Sequence, residues 1–412
     1  MKSTRDEPVF SVEDWAWIGS KDGRGWLEEY VQERLSGKDP MPRLRKRLGD
    51  LRAGLIAYQI ELRSLASRKF RNPERWLWTR TLLEQASDES SAALVASYYP
   101  PHVEVVDGCC GAGADGVALA VRARSCGAIL AIDKDPVACE LVRHNVRSHG
   151  LNIEVQQGEM ESRRLPQNAW LHVDPDRRPD GHRTTHGEAM SPNFDQMARW
   201  FQECPGGSIK LAPATEIDAR WRQELGVQFI GWGKSVRQQR LWWGCEAFAS
   251  GSTTLSIAKQ GNEWHHLTFT REDLIRSHDR VREWDSSSQW IGDTDPVVRA
   301  AKATPCIADQ CQAYLLGDEH GYMMAEQATP SWFVDWFQVR EQVSLDVKKL
   351  RKHLRAHNIG KLEIKKRGVE IDIEQLRRDL KLEGEGQATL FLAREGKRHL
   401  AILADRMLPE GS

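Results

Sequence analysis

The sequence predicts an α/β protein with a doubly wound, mostly parallel sheet at its centre, a helical region before it and a small α+β domain after it. Two observations carry this prediction. After Pro101, short apolar segments alternate with helical ones, as in strands joined by crossover helices. A glycine-rich turn containing Gly111, Gly113 and Gly116 follows the first apolar segment, which is typical of a ligand-binding strand–turn–helix unit.

The composition limits the classes of protein that fit. The 412 residues are enough for two to four domains, each with its own core. No run approaches the roughly 20 consecutive apolar residues that span a bilayer, and the first residues lack the apolar run of a secretory signal. We therefore expect a cytoplasmic protein. The eight cysteines include no Cys-x-x-Cys pair, so we expect neither a metal site nor a disulfide framework.

Helical spacing of apolar residues predicts helices over 43–65, 74–85 and 87–97, which make up an N-terminal helical region. The central domain should contain strands at 103–107, 128–133, 153–157 and 170–174, then at 208–212, 227–232, 240–244 and 253–258. The last domain should contain a helix over 344–356, a strand over 361–368, a helix over 372–380 and a strand over 388–394. The predicted segments are 1–97 for the helical region, 98–262 for the central domain, 263–335 for a connector or adaptor, and 336–412 for the C-terminal domain.

Acidic residues stand at the ends of successive predicted strands. Asp107 ends the first strand, Asp133 ends the second and Glu159 follows the third. Ligands of doubly wound sheets bind beyond the carboxyl ends of the strands, so these carboxylates should share one site. Asp115 begins the next helix, where it would repel a pyrophosphate but suits a sulfonium cation. The pattern therefore favours S-adenosylmethionine over a dinucleotide.

Each acid has a predicted role in holding this cofactor. Asp107, with the turn of Gly108, Gly111 and Gly113, should meet its amino-acid end. Asp133 should accept hydrogen bonds from the ribose hydroxyls, although Asp135 is close enough to do so instead. Glu159 is placed to receive the adenine amino group.

The fourth predicted strand ends in Asp174-Pro175-Asp176-Arg177-Arg178. Asp174 should face the reacting methyl group, where a carboxylate that accepts N–H bonds would orient an amine nucleophile. Asp174 is therefore the predicted catalytic residue, with Arg177 and Arg178 as substrate contacts. In the alternative interpretation, one of these arginines pairs with an aspartate and stiffens the loop.

Several separated motifs resemble a bacterial family of class I methyltransferases that carry a C-terminal THUMP-like domain. They are TRTLLEQAS (79–87), DGCCGAGADGVALA, AIDKDP, HVDPDRR, KLAPAT (210–215) and KLEIKKRGVEID (361–372). The resemblance covers roughly Leu62 to Met407. It implies an S-adenosylmethionine-dependent activity on RNA, with tRNA favoured because THUMP domains assist tRNA-modifying enzymes. It also implies that Lys365, Lys366 and Arg367 contact phosphates.

The resemblance leaves some alternatives open. Enzymes that methylate exocyclic amines often carry Asp/Asn-Pro-Pro-aromatic, but Asp176 and Arg177 stand where the second proline and the aromatic residue would be, which leaves the methylated atom open. The guanidinium of Arg177 could still stack on a base. The basic residues at 365–367 could instead protect a strand edge. The acceptor could be a protein or small molecule, or the chain could bind S-adenosylmethionine and RNA without turnover.

Overall fold

The computed structural model describes residues 9–123, 128–175, 190–259, 261, 263–276, 281–284, 288–318 and 321–407. It divides into two compact units. The first comprises Met1–Val227 and Arg237–Ser250, and the second comprises Gln228–Val236 and Gly251–Ser412. The chain therefore passes from one unit to the other within two strands, β6 (Gly226–Trp232) and β7 (Ser235–Trp243).

The first unit begins with a helical region, as the sequence predicts. Its α-helices are α1 (Val12–Gly19), α2 (Lys21–Leu35), α3 (Met41–Ala66), α4 (Arg80–Gln85) and α5 (Glu89–Ser97). Side chains cap the helix starts: Ser11 and Asp14 form a reciprocal capping box before α1, and Asp88 accepts the Ser91 N–H before α5. These caps satisfy backbone donors that have no partner inside the helix.

The single helix predicted over 74–85 is wrong in its first half. A 3₁₀ turn at Pro73–Arg75 is followed by extended chain through Trp76–Trp78 before α4 begins. The Gln59 amide accepts from the Trp78 N–H (3.0 Å) and donates to the Trp78 carbonyl (2.7 Å). The Asn145 amide does the same for Leu77, at 2.8 and 3.1 Å. Because distant side chains form hydrogen bonds with these backbone N–H and C=O groups, the groups need no helix to be satisfied.

A mostly parallel sheet follows, confirming the predicted fold class. The strands are β1 (Val105–Gly108), β2 (Ile129–Asp133), β3 (Glu154–Gln157), β4 (Trp170–Val173) and β5 (Gly207–Leu211). In the first unit their order is β3-β2-β1-β4-β5-β7, with β1 to β5 parallel and β7 antiparallel to β5. The helices are α6 (Ala114–Arg122), α7 (Pro136–Ser148), α8 (Phe194–Glu203) and α9 (Ala219–Glu224).

The strand order positions the site. The chain builds outward from β1 in one direction through β2 and β3, and in the other through β4 and β5. The connections after β1 and β4 therefore diverge, and they leave a crevice at the carboxyl ends of these strands. All four residues of β1 and of β4 are buried, which fits a central strand covered on both faces.

The second unit contains β8 (Thr253–Ala258) paired with β9 (His265–Phe269), and a separate eight-stranded sheet. The eight strands are β10 (Val281–Arg282), β11 (Trp290–Thr294), β12 (Tyr314–Leu316), β13 (Met323–Ala325), β14 (Val334–Val343), β15 (Ile359–Lys366), β16 (Gly386–Glu395) and β17 (Arg398–Arg406). Their order is β10-β12-β13-β11-β14-β17-β16-β15. The helices are α10 (Arg271–Arg276), α11 (Pro296–Ala300), α12 (Thr304–Gln310), α13 (Val347–Ala356) and α14 (Ile373–Leu380).

The range 263–335, predicted as a connector or adaptor, holds four strands of this sheet, β10 to β13. These strands have two to five residues each, too few for a clear alternation of apolar and polar positions. In the part of the chain that the structure describes, none of the helices has the length and apolar character needed to cross a bilayer.

Candidate functional site

A cavity of about 730 Å³ lies at the carboxyl ends of β1 to β4, within the size range of small-molecule sites. Of the predicted site residues, Gly111, Asp133, Glu159 and Asp174 line it. The structure therefore brings together residues that follow four separate strands. The exposed Glu159 lies at its wall after β3.

The turn after β1 has an unusual backbone. Gly111 (φ +55°) and Gly113 (φ +82°) adopt left-handed conformations that glycine reaches without steric cost. A Cβ on Gly113 would also come within 3.2 Å of the Val142 side chain. Cys109 has φ +58°, a conformation that is uncommon for residues other than glycine. The turn therefore brings main chain, rather than bulky side chains, to the cavity wall.

Asp133 and Asp135, which sequence reasoning could not separate, have different partners. The Asp133 carboxylate accepts the N–H of Gly111 (2.8 Å) and that of Asp135 (3.0 Å). Asp135 caps α7 by accepting the Val137 N–H at 2.8 Å. Burial raises the pKa of Asp133. A carboxylate offers about four lone-pair positions, so Asp133 keeps capacity for hydroxyl donors in the cavity.

Asp107 lies behind the cavity wall rather than at its surface. Its side chain is 1% exposed, and Gly108 and Gly113 likewise do not line the cavity. Within the described part of the chain, Asp107 Oδ2 has no hydrogen-bond partner, and a Cβ on Gly116 would approach it to 2.7 Å. Burial, followed by the charges of nearby carboxylates, raises the pKa of Asp107 well above its usual range.

Asp174 forms an ion pair that the sequence did not reveal. Lys210 Nζ, at the end of β5, lies 2.6 Å from Asp174 Oδ2 and 3.4 Å from the Gln85 carbonyl. The Lys210 side chain is only 7% exposed, against 25% for Asp174. The motif KLAPAT contained Lys210, but nothing local indicated that its ammonium would meet the loop after β4.

A buried polar network surrounds Asp115, which lies at the start of α6. Ser87 Oγ donates to Asp115 Oδ2 at 2.8 Å, and His172 Nε2, Lys210 Nζ and Arg240 NH2 lie 3.7 to 4.0 Å from its oxygens. Burial opposes the charged carboxylate. The polar contact with His172 and the charges of Lys210 and Arg240 nevertheless hold the pKa of Asp115 well below its usual range. Asp115 is therefore ionised and fixed.

The N-terminal residues, for which the sequence suggested no role, reach the cavity. Phe10 and Trp15 line it, and their rings meet edge to face with centroids 5.9 Å apart. The position of Trp15 at the cavity depends on the packing of α1, which no local sequence pattern reveals. Aromatic rings at the rim of a polar cavity offer apolar contact to a flat ligand.

The remaining predicted residues lie elsewhere. Arg177 and Arg178 fall outside the described residues. Lys365, Lys366 and Arg367 belong to the second unit, where Lys365 Nζ lies 2.9 Å from Asp293 Oδ2. The predicted absence of a metal stays a prediction. The described residues do bring Glu341, His353 and His357 together, with one possible ligand atom from each within 4.8 Å of the others.

The donor set fits S-adenosylmethionine. Among the described residues, six acidic side chains and one lysine line the cavity, namely Asp115, Asp133, Asp135, Glu159, Glu161, Asp174 and Lys134. An excess of negative charge suits a sulfonium cation and disfavours a pyrophosphate. Acceptors at Asp133 and Glu159 match the hydroxyl and amino donors of an adenosine.

Comparison with known proteins agrees with this geometry. Residues 334–406 match the family model described as THUMP domain-like. Over 378 residues the chain is 27% identical to an uncharacterized S-adenosylmethionine-dependent methyltransferase of Mycobacterium tuberculosis, found in strains CDC 1551 and H37Rv. The alignment covers 87% of this chain and 97% of that relative. A candidate methyltransferase from Porphyromonas gingivalis W83 has a crystal structure that shares the fold, with a TM-score of 0.75 at 18% identity, over 97% of this chain and 100% of the other.

The fold is that of class I methyltransferases, and an acidic cavity lies at its strand ends. Over most of its length the chain is similar to an S-adenosylmethionine-dependent methyltransferase, its residues 334–406 match a THUMP domain-like model, and the donors of its cavity fit S-adenosylmethionine as the cofactor.

Proposed function

We propose that this enzyme methylates a nucleotide in RNA, with tRNA as the favoured substrate, and that Asp174 meets the acceptor group. The THUMP-like match over residues 334–406 carries the RNA assignment, because the resemblance connects such domains with tRNA modification. The position of Asp174 at the cavity wall supports its assignment as the residue next to the reaction.

The Lys210 ion pair gives Asp174 a defined orientation. Oδ2 is held by the ammonium at 2.6 Å, and Oδ1 has no hydrogen-bond partner among the described residues. Oδ1 can therefore accept an N–H of an acceptor amine and direct the nitrogen lone pair into the cavity. Holding a nucleophile in line contributes to the rate without any covalent step by the protein. The bound cofactor supplies a methyl group on a cationic sulfur.

The other cavity residues bind and orient. Asp133, fixed by two backbone N–H groups, would hold the ribose, and Glu159 would receive the adenine amino group. Asp107 and its turn would support the amino-acid end from behind the wall. Arg177 and Arg178 remain proposed substrate contacts.

The surroundings of the two thiols at the cavity wall disfavour their thiolate form. Burial, followed by the charges of nearby carboxylates, raises the pKa of both Cys109 and Cys110 well above the usual range. The thiolate is the nucleophilic form of cysteine, so covalent activation of a base by either residue is disfavoured. This supports direct transfer to an oriented amine.

The test is single-turnover methyl transfer to RNA from a strain that lacks the protein, with mass spectrometry of the nucleosides. Asp174→Asn should lower the rate by roughly 10²–10³, the usual effect of losing an oriented electrostatic group, while most affinity for S-adenosylhomocysteine remains. Glu161→Gln is the matched control: it also removes one negative charge at the cavity wall, and its amide can still accept from Ser191 Oγ.

Each outcome separates the alternatives. Transfer to a protein or small molecule but not to RNA would reject the substrate class. Tight cofactor binding with no acceptor in a cell extract would favour the non-catalytic alternative. Wild-type rates in Asp174→Asn would show that the ion pair with Lys210 is structural.

A further inference from the structure

The second unit has a cavity of its own, of about 560 Å³. Its walls come from β11, α11, β15, the turn after β15, β16 and the described residues Asp318, Gly321 and Tyr322. Within the part of the chain that the structure describes, five cationic and two acidic side chains line it: Arg299, Lys365, Lys366, Arg367, Arg394, Asp293 and Asp318. The described part of this cavity therefore carries an excess of positive charge.

A single carboxylate collects three of these cations. Lys365 Nζ lies 2.9 Å from Asp293 Oδ2, Arg299 NH1 lies 3.5 Å from Oδ1, and Arg367 NH2 donates to the same Oδ1. Asp293 is 17% exposed, Lys365 22% and Arg367 13%, so water screens the group only partly. Lys365 Nζ also lies 3.1 Å from Glu363 Oε1, so two carboxylates face three cations and leave an excess positive charge. Burial, followed by the charge of Arg367, accordingly lowers the pKa of Arg299.

The Arg367 guanidinium is held rigidly. Its NH1 donates to the Gly321 carbonyl at 2.6 Å, and its Cζ lies 4.3 Å from the centroid of the Tyr322 ring. The backbone then turns at Gly368 (φ +65°), where a Cβ would come within 3.1 Å of Arg394. A planar guanidinium fixed in this way loses little entropy when it binds an oxyanion, and its fork matches the geometry of a phosphate.

We propose that this cavity binds one phosphate group of the RNA substrate, held by Arg299, Lys365 and Arg367, with Arg394 at the rim. The sequence suggested phosphate contacts only at residues 365–367. The structure adds Arg299 and Arg394, and it adds Asp293 as the residue that positions the cations. The assignment of the phosphate to RNA rests on the proposed function, whereas the preference for an anion follows from the charges of the cavity.

The experiment uses the full-length protein and two probes at constant ionic strength: inorganic phosphate, followed by calorimetry, and a fluorescently labelled tRNA, followed by anisotropy. Arg299→Gln should weaken binding of both by about tenfold, because a charge-assisted hydrogen bond in a partly buried site is lost. Lys348→Gln is the matched control, since it removes one positive charge from an exposed position on α13 of the same unit that does not line the cavity.

Affinity for S-adenosylhomocysteine and the circular dichroism spectrum check that the variants are folded. Arg394→Gln, at an exposed lining residue, provides a second variant with the same expected direction should Arg299→Gln fail to fold. Equal RNA and phosphate affinity in the folded cavity variants and the wild type would overturn the proposal. Loss of inorganic phosphate binding alone would assign the cavity to a free phosphate and overturn the RNA assignment.

This result is separable from the proposed function. RNA binding that depends on Arg299, in an enzyme that methylates no RNA, would keep the phosphate site and reject the reaction. RNA methylation that is independent of Arg299 and Arg394 would keep the proposed reaction and reject the phosphate site.

Discussion

The two cavities of this protein have opposite charge. In the described parts of the chain, the cavity of the first unit is lined by six acidic residues and one lysine, and that of the second unit by five cationic and two acidic residues. Both are large enough for a small molecule or for part of a larger one. The sign of the lining charge therefore distinguishes their ligands, a sulfonium cation in the first and, as we propose, a phosphate in the second.

The difference depends on where each unit places the side chains whose charge is opposite to that of the cavity wall. In the first unit Lys210 and Arg240 are buried around Asp115, with 7% and 0% of their side chains exposed, and neither lines the cavity. The carboxylates consequently face the opening while their counter-ions lie behind it. In the second unit Asp293 lies within the wall, and the cations around it line the cavity. Similar clusters of ion pairs thus leave the two cavity walls with opposite net charges.

Among the variants proposed here, removal of the buried Lys210 should have the largest effect, a loss of stability in the first unit. Lys210→Met leaves Asp174 without its ion-pair partner and reduces the charge that holds the pKa of Asp115 low. Breaking a buried pair from one side typically costs about 3 kcal/mol or more in the free energy of unfolding. The measurement is urea unfolding, with Lys134→Met, an exposed residue that lines the same cavity, as the control.

The pH dependence has a definite sign. The folded-state pKa of Asp115 is depressed, so its contribution to stability is present above the ordinary aspartate pKa and is lost as the pH falls below it. In Lys210→Met the Asp115 carboxylate should protonate at higher pH than in the wild type. Acid unfolding of the variant should therefore begin at a higher pH. If Lys210→Met kept wild-type stability and an unchanged acid transition, His172 and Arg240 would suffice to stabilise the charged form of Asp115.

A smaller effect is expected at the cofactor, where Asp133 and Asp135 can be compared directly. Asp133→Ala should weaken binding of S-adenosylhomocysteine by roughly 1–3 kcal/mol, because the ribose hydroxyls lose a charged acceptor. Asp135→Ala should instead cost about 1 kcal/mol of stability through loss of the α7 cap, with little change in affinity. Calorimetry with both variants checks the assignment. A loss of affinity in Asp135→Ala but not in Asp133→Ala would assign the ribose contact to Asp135.

The smallest expected effect concerns the salt dependence of RNA binding. Each phosphate contact in a single-stranded region adds about 0.7 to the slope of log affinity against log salt. Replacing Lys365, Lys366 and Arg367 by Gln should therefore flatten the slope by up to about 2, while cofactor affinity stays unchanged. An unaltered slope in a folded triple variant would mean that these residues serve only the Asp293 cluster or a strand edge.

Local sequence features predicted much of the architecture. The glycines after β1 and the acids that end β2 and β4 lie where the alternation of strands and helices indicated, because a strand and its following turn are encoded within a few residues. In the second unit, α13, α14, β15 and β16 agree with their predicted positions within a few residues, whereas β14 and β17 were missed. The helix over 74–85 failed because side chains as distant as Asn145 compete for its backbone.

The sequence by itself predicted the class I fold, acidic residues at successive strand ends and S-adenosylmethionine as the cofactor. Only the tertiary structure decided which charges meet. Lys210 reaches Asp174 across 36 positions of the chain, and Arg367 reaches Asp293 across 74. Such pairs have no local signature, because an ion pair depends on the distance between two side chains after the sheet is assembled. For the same reason, only packing could bring Phe10 to the cavity of the first unit and Arg299 to that of the second.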